Sequence, residues 1–233
     1  LKPGGFAQST INWACHKGAD WRARLQEWVK DSGCDAWLLW SEVVAGDRYA
    51  AQWLPMGLEN NFAVYQKRFD EWLAYFDREG IEGVGTGIMT LRKRAGSNWF
   101  AEDVVPKPQG QSGPAVALGF VLRDFLLSRK DEELLAATYK LAPKARWEQV
   151  LEPALKGWVT TGSKLSLTSE LSFTLNVDAL GMSIVTRCRG DQPLGVLLAE
   201  LATERKQDPS KLAVAALPLV RVLIEQGFFL PEG

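Results

Sequence analysis

The side chains best suited to chemistry lie close together near the end of the first apolar segment. Asn12 and Trp13 close a run that is rich in Phe, Thr and Ile, and Cys15 and His16 follow at its polar tip. Ligands of open α/β sheets bind outside the carboxyl ends of the strands. The position therefore predicts Asn12, Trp13 and His16 as substrate-binding residues. The simpler interpretation is that His16 is an exposed loop residue and that Trp13 packs in the core.

No catalytic residue or metal site is predicted beside this group. Cys15 and His16 do not form a nucleophile pair, because neighbouring residues of a strand point to opposite faces and no third group orients the imidazole. Asp20 is better explained as the N-cap of a helix than as an acid or a base. One His and three scattered Cys cannot build a tetrahedral metal site.

The elements that must position these residues follow the order strand, helix, strand. Residues 6–13 are rich in strand-forming types, and a helix with an apolar face follows Asp20. A second apolar strand is predicted over residues 35–44, and units of this kind build parallel sheets. A helix with a bulky aromatic face is predicted next, over residues 61–79, and then a glycine-containing strand over residues 84–91.

The sequence Leu-Lys-Pro-Gly-Gly at residues 1–5 stands directly before the first strand. It resembles the turn before strand five of class I S-adenosylmethionine (SAM) dependent methyltransferases, where a Pro-Gly-Gly turn precedes that strand. The similarity extends to about residue 98, and among such enzymes it resembles release-factor glutamine methyltransferase-like proteins with an extra C-terminal domain. The resemblance implies that residues 6–13 and 35–44 are the parallel strands five and six. It also implies that residues 84–91 are strand seven, antiparallel to both and between them.

Three motifs of that family have no counterpart in this sequence. They are the glycine-rich loop that cradles the cofactor, the acidic residue after strand two, and the Asn-Pro-Pro-Tyr type motif after strand four. The chain is therefore expected to be the C-terminal part of a longer methyltransferase, contributing substrate recognition and completing the fold. The resemblance implies that the parent enzyme transfers a methyl group from SAM to a nitrogen of a protein or RNA, whereas this segment alone is expected to bind no cofactor. The alternative is a non-enzymatic protein-interaction module.

Composition changes divide the chain into two predicted domains. Residues 1–98 are expected to be the C-terminal half of a methyltransferase-like α/β domain, residues 99–113 a linker rich in Pro and Gly, and residues 114–233 an α+β domain. The tail at residues 190–233 has two apolar helical patterns and a Gly-Phe-Phe-Leu sequence, and it resembles a winged-helix unit. The predicted fold class is an α/β remnant, strands five to seven of a Rossmann-like sheet, followed by an α+β domain with a winged-helix-like tail.

Three further patterns lie between the linker and the tail. The segment from residue 114 to residue 127 is apolar on nearly all sides and predicts a buried helix. A second helix is predicted over residues 132–141. From residue 145 to residue 189 the pattern changes to a period of two, which predicts a small antiparallel sheet whose last strand lies at residues 182–188.

Charge restricts the classes of partner. The chain has 27 basic and 28 acidic residues, a balance that offers no electrostatic footprint for nucleic acid or for an anionic membrane. The tail contains four basic and six acidic residues, which disfavours DNA binding because phosphate neutralisation supplies most non-specific affinity. No apolar run approaches the roughly 20 residues of a membrane helix.

The remaining expectations concern compartment and assembly. Three distant cysteines, an odd number, favour a reducing cytoplasm over a disulfide framework. If strand four belongs to a missing segment, the strand at residues 6–13 has an unpaired edge, and such an edge is a template for another chain. The predicted partners are therefore the protein or RNA substrate of the parent enzyme, and either the missing N-terminal half or a second copy paired at this edge.

Overall fold

The computed structural model describes residues 1–54, 61–105, 110–168 and 171–232. Within these ranges the chain is a mixed α/β protein with eight helices and three small sheets. It divides into two compact units, Leu1–Pro106 and Lys107–Gly233. The division falls inside the predicted linker.

The first unit begins and ends with strands. Its described elements are β1 (Phe6–His16), α1 (Trp21–Val29), β2 (Cys34–Ala45), α2 (Gly46–Trp53), α3 (Phe62–Glu79), β3 (Ile81–Lys93) and β4 (Phe100–Val104). Local signals explain the helix ends. The Asp20 carboxylate accepts from the Arg22 N–H at 2.9 Å and caps α1, and Gly80, in the left-handed conformation with φ of 64°, ends α3.

The sheet of this unit has the order β1-β3-β2-β4. β3 is antiparallel to both β1 and β2, so these two strands are parallel to each other, as the sequence predicts. Trp13 lies opposite Gly85 in this register. A Cβ added at Gly85 would lie 2.2 Å from the Trp13 indole, so the glycine leaves the space that the ring fills.

β4 corrects the predicted linker, because residues 100–104 of the expected 99–113 segment form a strand parallel to β2. The pairing satisfies the outer edge of β2: the Ala36 N–H donates to the Trp99 carbonyl at 2.8 Å, and the Val105 N–H donates to the Trp40 carbonyl at 2.7 Å. The first unit therefore continues past residue 98. Pro106 and Pro108, which suggested the linker, lie outside the described residues.

α1 covers one face of this sheet. The core beneath it consists of buried residues from α1, β1, β2 and β3: Trp13, Leu25, Ala36, Leu38 and Met89. Leu25, Ala36 and Leu38 are fully buried. The alternation of side chains along the strands sends these residues to the same face.

The second unit contains more elements in shorter pieces. They are α4 (Gly113–Leu127), α5 (Asp131–Ala136), β5 (Thr138–Leu141), β6 (Ala145–Ala154), β7 (Gly157–Leu167), β8 (Thr174–Asn176), α6 (Ala179–Arg187), β9 (Arg189–Pro193), α7 (Leu194–Glu204), α8 (Pro209–Glu225) and β10 (Phe229–Glu232). Two three-stranded sheets result, with the orders β10-β5-β9 and β6-β7-β8.

Three predictions for this unit were wrong in part. Residues 182–188, expected as a strand, belong largely to α6, which Asp178 caps and which buries Met182, Ile184 and Val185 on one side. The helix expected over residues 132–141 ends at Ala136, and the rest forms β5. Strand pairing at the far end of the chain decides this second case, because β5 lies between β10 and β9.

α4 is the third correction, because it is not buried on all sides. Phe120 and Leu122 face the core, whereas Val121 and Leu127 are 59% and 64% exposed. An apolar sequence pattern does not tell which sides of a helix a small domain can cover.

The cap of α6 supplies a test of this part of the fold. The Asp178 carboxylate accepts from the Gly181 N–H at 2.7 Å. We expect Asp178→Ala to lower the free energy of unfolding by about 1 kcal/mol, the usual cost of losing an N-cap. Urea unfolding followed by far-UV circular dichroism measures it. Asp191→Ala, at an exposed position outside a helix, is the control, and an equal loss in both variants would contradict the capping role.

Candidate functional site

β1 lies at one edge of the sheet of the first unit. β1 pairs with β3 on one side, and no other described strand pairs with it. Its first five residues, from Phe6 to Thr10, are all exposed, and Phe6 exposes 48% of its surface. A strand edge in this state carries unpaired N–H and C=O groups that another strand can bind.

Asn12 lies on this strand and faces a group of aromatic residues on α2 and α3. Its side-chain amide donates to the Tyr49 hydroxyl at 3.2 Å. Tyr49 stacks on Trp72 with ring centroids 6.2 Å apart, and Trp53 lies 6.1 Å from the same tyrosine ring. Trp53 is 45% exposed. Asn12 is thus a polar group beside a partly exposed aromatic surface.

Trp13 points to the other face of the sheet and is only 3% exposed. Its ring centroid lies 5.0 Å from that of Trp21 on α1. This burial fits the simpler interpretation, in which Trp13 is a packing residue. Asn12 and Trp13 therefore do not line a common surface, because successive residues of a strand alternate between faces.

His16 is a connecting residue at the end of β1. Its Nδ1 lies 3.0 Å from the Glu79 carbonyl oxygen, and its Nε2 lies 3.1 Å from Nη1 of Arg24. Since a carbonyl only accepts and a guanidinium only donates, Nδ1 carries the proton and Nε2 is the acceptor. Both ring nitrogens are occupied, so the imidazole links β1 to the end of α3 and to α1.

The neighbouring thiol is not activated. Burial raises the pKa of Cys15. A thiol with a raised pKa carries less thiolate at neutral pH, and the thiolate is the nucleophile. Cys15 and His16 therefore do not form an activated nucleophile.

One polar cluster that the sequence did not predict joins α1 to β2 and β4. Arg22 Nε lies 2.6 Å from Glu102 Oε1, and the guanidinium carbon lies 4.4 Å from the centre of the Trp21 ring. The Trp40 indole N–H donates to the other oxygen of Glu102. Arg22 and Glu102 are 80 residues apart in sequence, and Glu102 falls in the predicted linker, so no local signal relates them.

The strand-to-helix turn between β1 and α1 contains one glycine, Gly18, and its carboxylate, Asp20, is engaged by the Arg22 N–H. The cofactor turn of a Rossmann-type site is rich in glycine. This turn therefore does not fit the glycine-rich loop that would hold a cofactor such as SAM.

A cavity of about 500 Å³ lies in the second unit, between the β6–β7 hairpin and α6. Its walls carry hydroxyl groups, among them Thr160, Ser163 and Ser183, together with Trp147 and Met182. The Trp147 indole N–H donates to the Ser163 hydroxyl at 2.7 Å, which fixes the ring at one side. The volume lies in the range of ligand-binding pockets.

Two features are absent from the described residues. No group of three or more His, Cys, Asp or Glu side chains in them could hold a metal ion. No helix in the described portion is long and apolar enough to cross a membrane.

Among models of protein families, one described as Domain of unknown function (DUF7782) matches residues 119–231. The matched segment lies within the second unit. No curated protein is similar enough to the chain to count as a relative.

Proposed function

We propose that this chain is the C-terminal part of a SAM-dependent methyltransferase. In this proposal its first unit supplies strands five, seven and six of the class I sheet as β1, β3 and β2. The observation that carries the proposal is the position of β3, antiparallel between two parallel strands. Simple parallel α/β units do not require such a reversed central strand, whereas the methyltransferase family has one at this place.

The turn before β1 supports the same assignment. Gly4 has a φ of 74°, which favours glycine. Its N–H donates to the Lys93 carbonyl at 2.8 Å, and the Lys93 N–H donates to the Gly5 carbonyl at 3.0 Å. The Pro-Gly-Gly sequence thus joins the start of β1 to the end of β3, and the resemblance in sequence coincides with a defined structural role.

The free edge of β1 is a second support. In the methyltransferase sheet, strand four lies beside strand five, so a separate C-terminal half would leave the edge of strand five open. β1 has that open edge among the described residues. The proposed partner at this edge is the N-terminal half of the enzyme, and pairing with a second copy of the chain is the alternative.

The second unit would contribute to substrate recognition. α7, α8 and β10 follow one another as in the winged-helix-like tail proposed from the sequence, and β10 pairs with β5. The sheet differs from a simple winged helix, since its third strand, β9, precedes the two helices. The proposed substrate is a nitrogen of a protein or RNA, in the cytoplasm. The balance of charge in the tail continues to disfavour DNA.

Titration calorimetry with SAM tests this function. We expect the complete product of the gene that encodes this chain to bind SAM with a micromolar dissociation constant. The 233-residue chain alone should show no measurable heat, because it lacks the glycine-rich loop and the acidic residue that follows strand two in the family. A complete product that does not bind SAM would favour the alternative, a non-enzymatic interaction module. Binding by the 233-residue chain itself would refute the assignment of its elements.

A further inference from the structure

β7 pairs with β6 along one side and is only partly paired on its other side. β6 pairs with it from Gly157 to Leu167, but β8 pairs only with Lys164–Ser166. The Ser163 carbonyl accepts one more bond, from the Val177 N–H at 3.0 Å. Beyond that point the chain turns into α6, and no described strand pairs with the remaining part of this side.

The hairpin register shows which backbone groups face this open side. Ala154 and Gly157 flank the two-residue turn, and hydrogen-bonded pairs alternate with non-hydrogen-bonded pairs in an antiparallel ladder. Counting from the turn, the backbone N–H and C=O groups of Glu152 and Val159 point towards the partner strand within the hairpin. Those of Leu151 and Thr160 point away from the hairpin. Pro153 agrees with this alternation, because proline has no N–H and its position in the hairpin requires no hydrogen bond to β7.

The cavity described above lies beside this open edge. Thr160 and Ser163 of β7 form one wall, and Met182 and Ser183 of α6 form another. Among the described residues of the lining, Asp178 is the one that carries charge, and one oxygen of its carboxylate accepts from the Gly181 N–H. The cavity thus offers mainly hydroxyl groups and apolar contacts to a ligand.

We propose that the open edge of β7 binds an extended, uncharged polypeptide segment as an added strand. The backbone of the segment pairs with β7 at Trp158 and Thr160. Its alternate side chains enter the cavity, where the Trp147 ring and Met182 provide apolar contact. Main-chain pairing supplies affinity and the pockets beside the edge supply specificity in this mode of recognition. The site is not part of the methyltransferase assignment, and its test contains no SAM.

β7 is favoured over the other free edge of the same sheet. The outer side of β6 is also unpaired among the described residues. It contains Pro153, which removes a backbone donor, and the cavity lies on the side of β7. An edge strand that carries proline is a poor template for pairing.

The test uses ten-residue peptides displayed on phage and selected on the immobilised 233-residue chain. Selected peptides are synthesised and their binding is measured by fluorescence anisotropy. Thr160→Pro removes the outward N–H of β7. We expect it to weaken binding by about tenfold, the effect of one main-chain hydrogen bond at the upper end of its range. Leu151→Pro is the control. It removes the outward N–H of Leu151 on β6, the residue paired with Thr160, and should change binding by no more than about twofold.

A second measurement does not depend on whether these variants fold. Each selected peptide is resynthesised with N-methyl groups on alternate amides, in the two possible phases. A peptide bound as a strand loses binding in one phase and keeps it in the other, because only one side of a strand faces its neighbour. Failure to select any peptide, equal loss in both phases, or loss with Leu151→Pro and not with Thr160→Pro would each overturn the proposal.

Discussion

Asp35→Asn is expected to be among the most destabilising single changes in the first unit, lowering its free energy of unfolding by about 3 kcal/mol. The Asp35 side chain is fully buried. Its oxygens lie 2.6 Å from Nη2 of Arg92 and 2.8 Å from Nε of Arg94, and they also accept from Asn98. Removing one member of a buried ion pair leaves the other charge without compensation, which costs about 3–5 kcal/mol. The asparagine amide keeps one acceptor oxygen, so we expect a loss of stability at the lower end of this range.

Urea unfolding monitored by tryptophan fluorescence measures this change. Eight of the ten tryptophans precede residue 106, so the signal reports mainly on the first unit. Asp31→Asn is the matched control, because Asp31 is exposed and its φ of 59° suits asparagine as well as aspartate. A loss below about 1 kcal/mol in Asp35→Asn, the scale of an exposed ion pair, would show that the Asp35 cluster contributes no more than a surface salt bridge.

The same cluster predicts a dependence on pH. Burial alone raises the pKa of Asp35, but the hydrogen bonds from Arg92, Arg94 and Asn98 together lower it below its usual value of 3.8. A carboxyl group whose pKa is lowered by folding stabilises the native state above its unfolded pKa, and this contribution is lost as pH falls through the folded pKa. The difference in stability between the wild type and Asp35→Asn should therefore be constant near neutral pH. It should shrink as the pH falls below about 4.

Trp13→Ala is expected to lower the free energy of unfolding by about 3–5 kcal/mol, the range for removing a large aromatic side chain from a core. The ring is 3% exposed and packs on Trp21. The space that it leaves is bounded by Gly85, which has no side chain to fill it. Urea unfolding followed by far-UV circular dichroism is the measurement, because the substitution removes one of the fluorescent residues.

Trp28→Ala is the matched control for this result. Trp28 lies on the same helix as Trp21 but is 52% exposed, so its loss should cost less than about 1 kcal/mol, as for most surface changes. Gly85→Ala places a methyl group on the Trp13 ring and should cost about 1–3 kcal/mol through overpacking. A near-neutral Trp13→Ala would contradict the packing role and return Trp13 to the list of substrate-binding candidates.

The sequence by itself predicted the elements whose signals are local. The Asp20 carboxylate, the left-handed Gly80 and the apolar run of β2 lie within or next to the elements that they define. Each signal acts over a few residues, and the backbone there has few alternatives. The resemblance to a methyltransferase also predicted the order of β1, β3 and β2, although nothing in a local pattern determines which strands become neighbours.

The tertiary structure decided the features that depend on distant partners. β4 forms because β2 offers an edge to residues 60 or more positions away, as in the pairing of Ala36 with Phe100. α5 ends early because β10, at the other end of the unit, pairs with β5. Trp13 and His16 have similar positions in the sequence, yet one is buried against α1 and the other links two helices to β1. Packing and hydrogen bonding between elements determine such roles, because the cost of leaving an apolar ring in water or a buried polar group unpaired depends on what lies opposite.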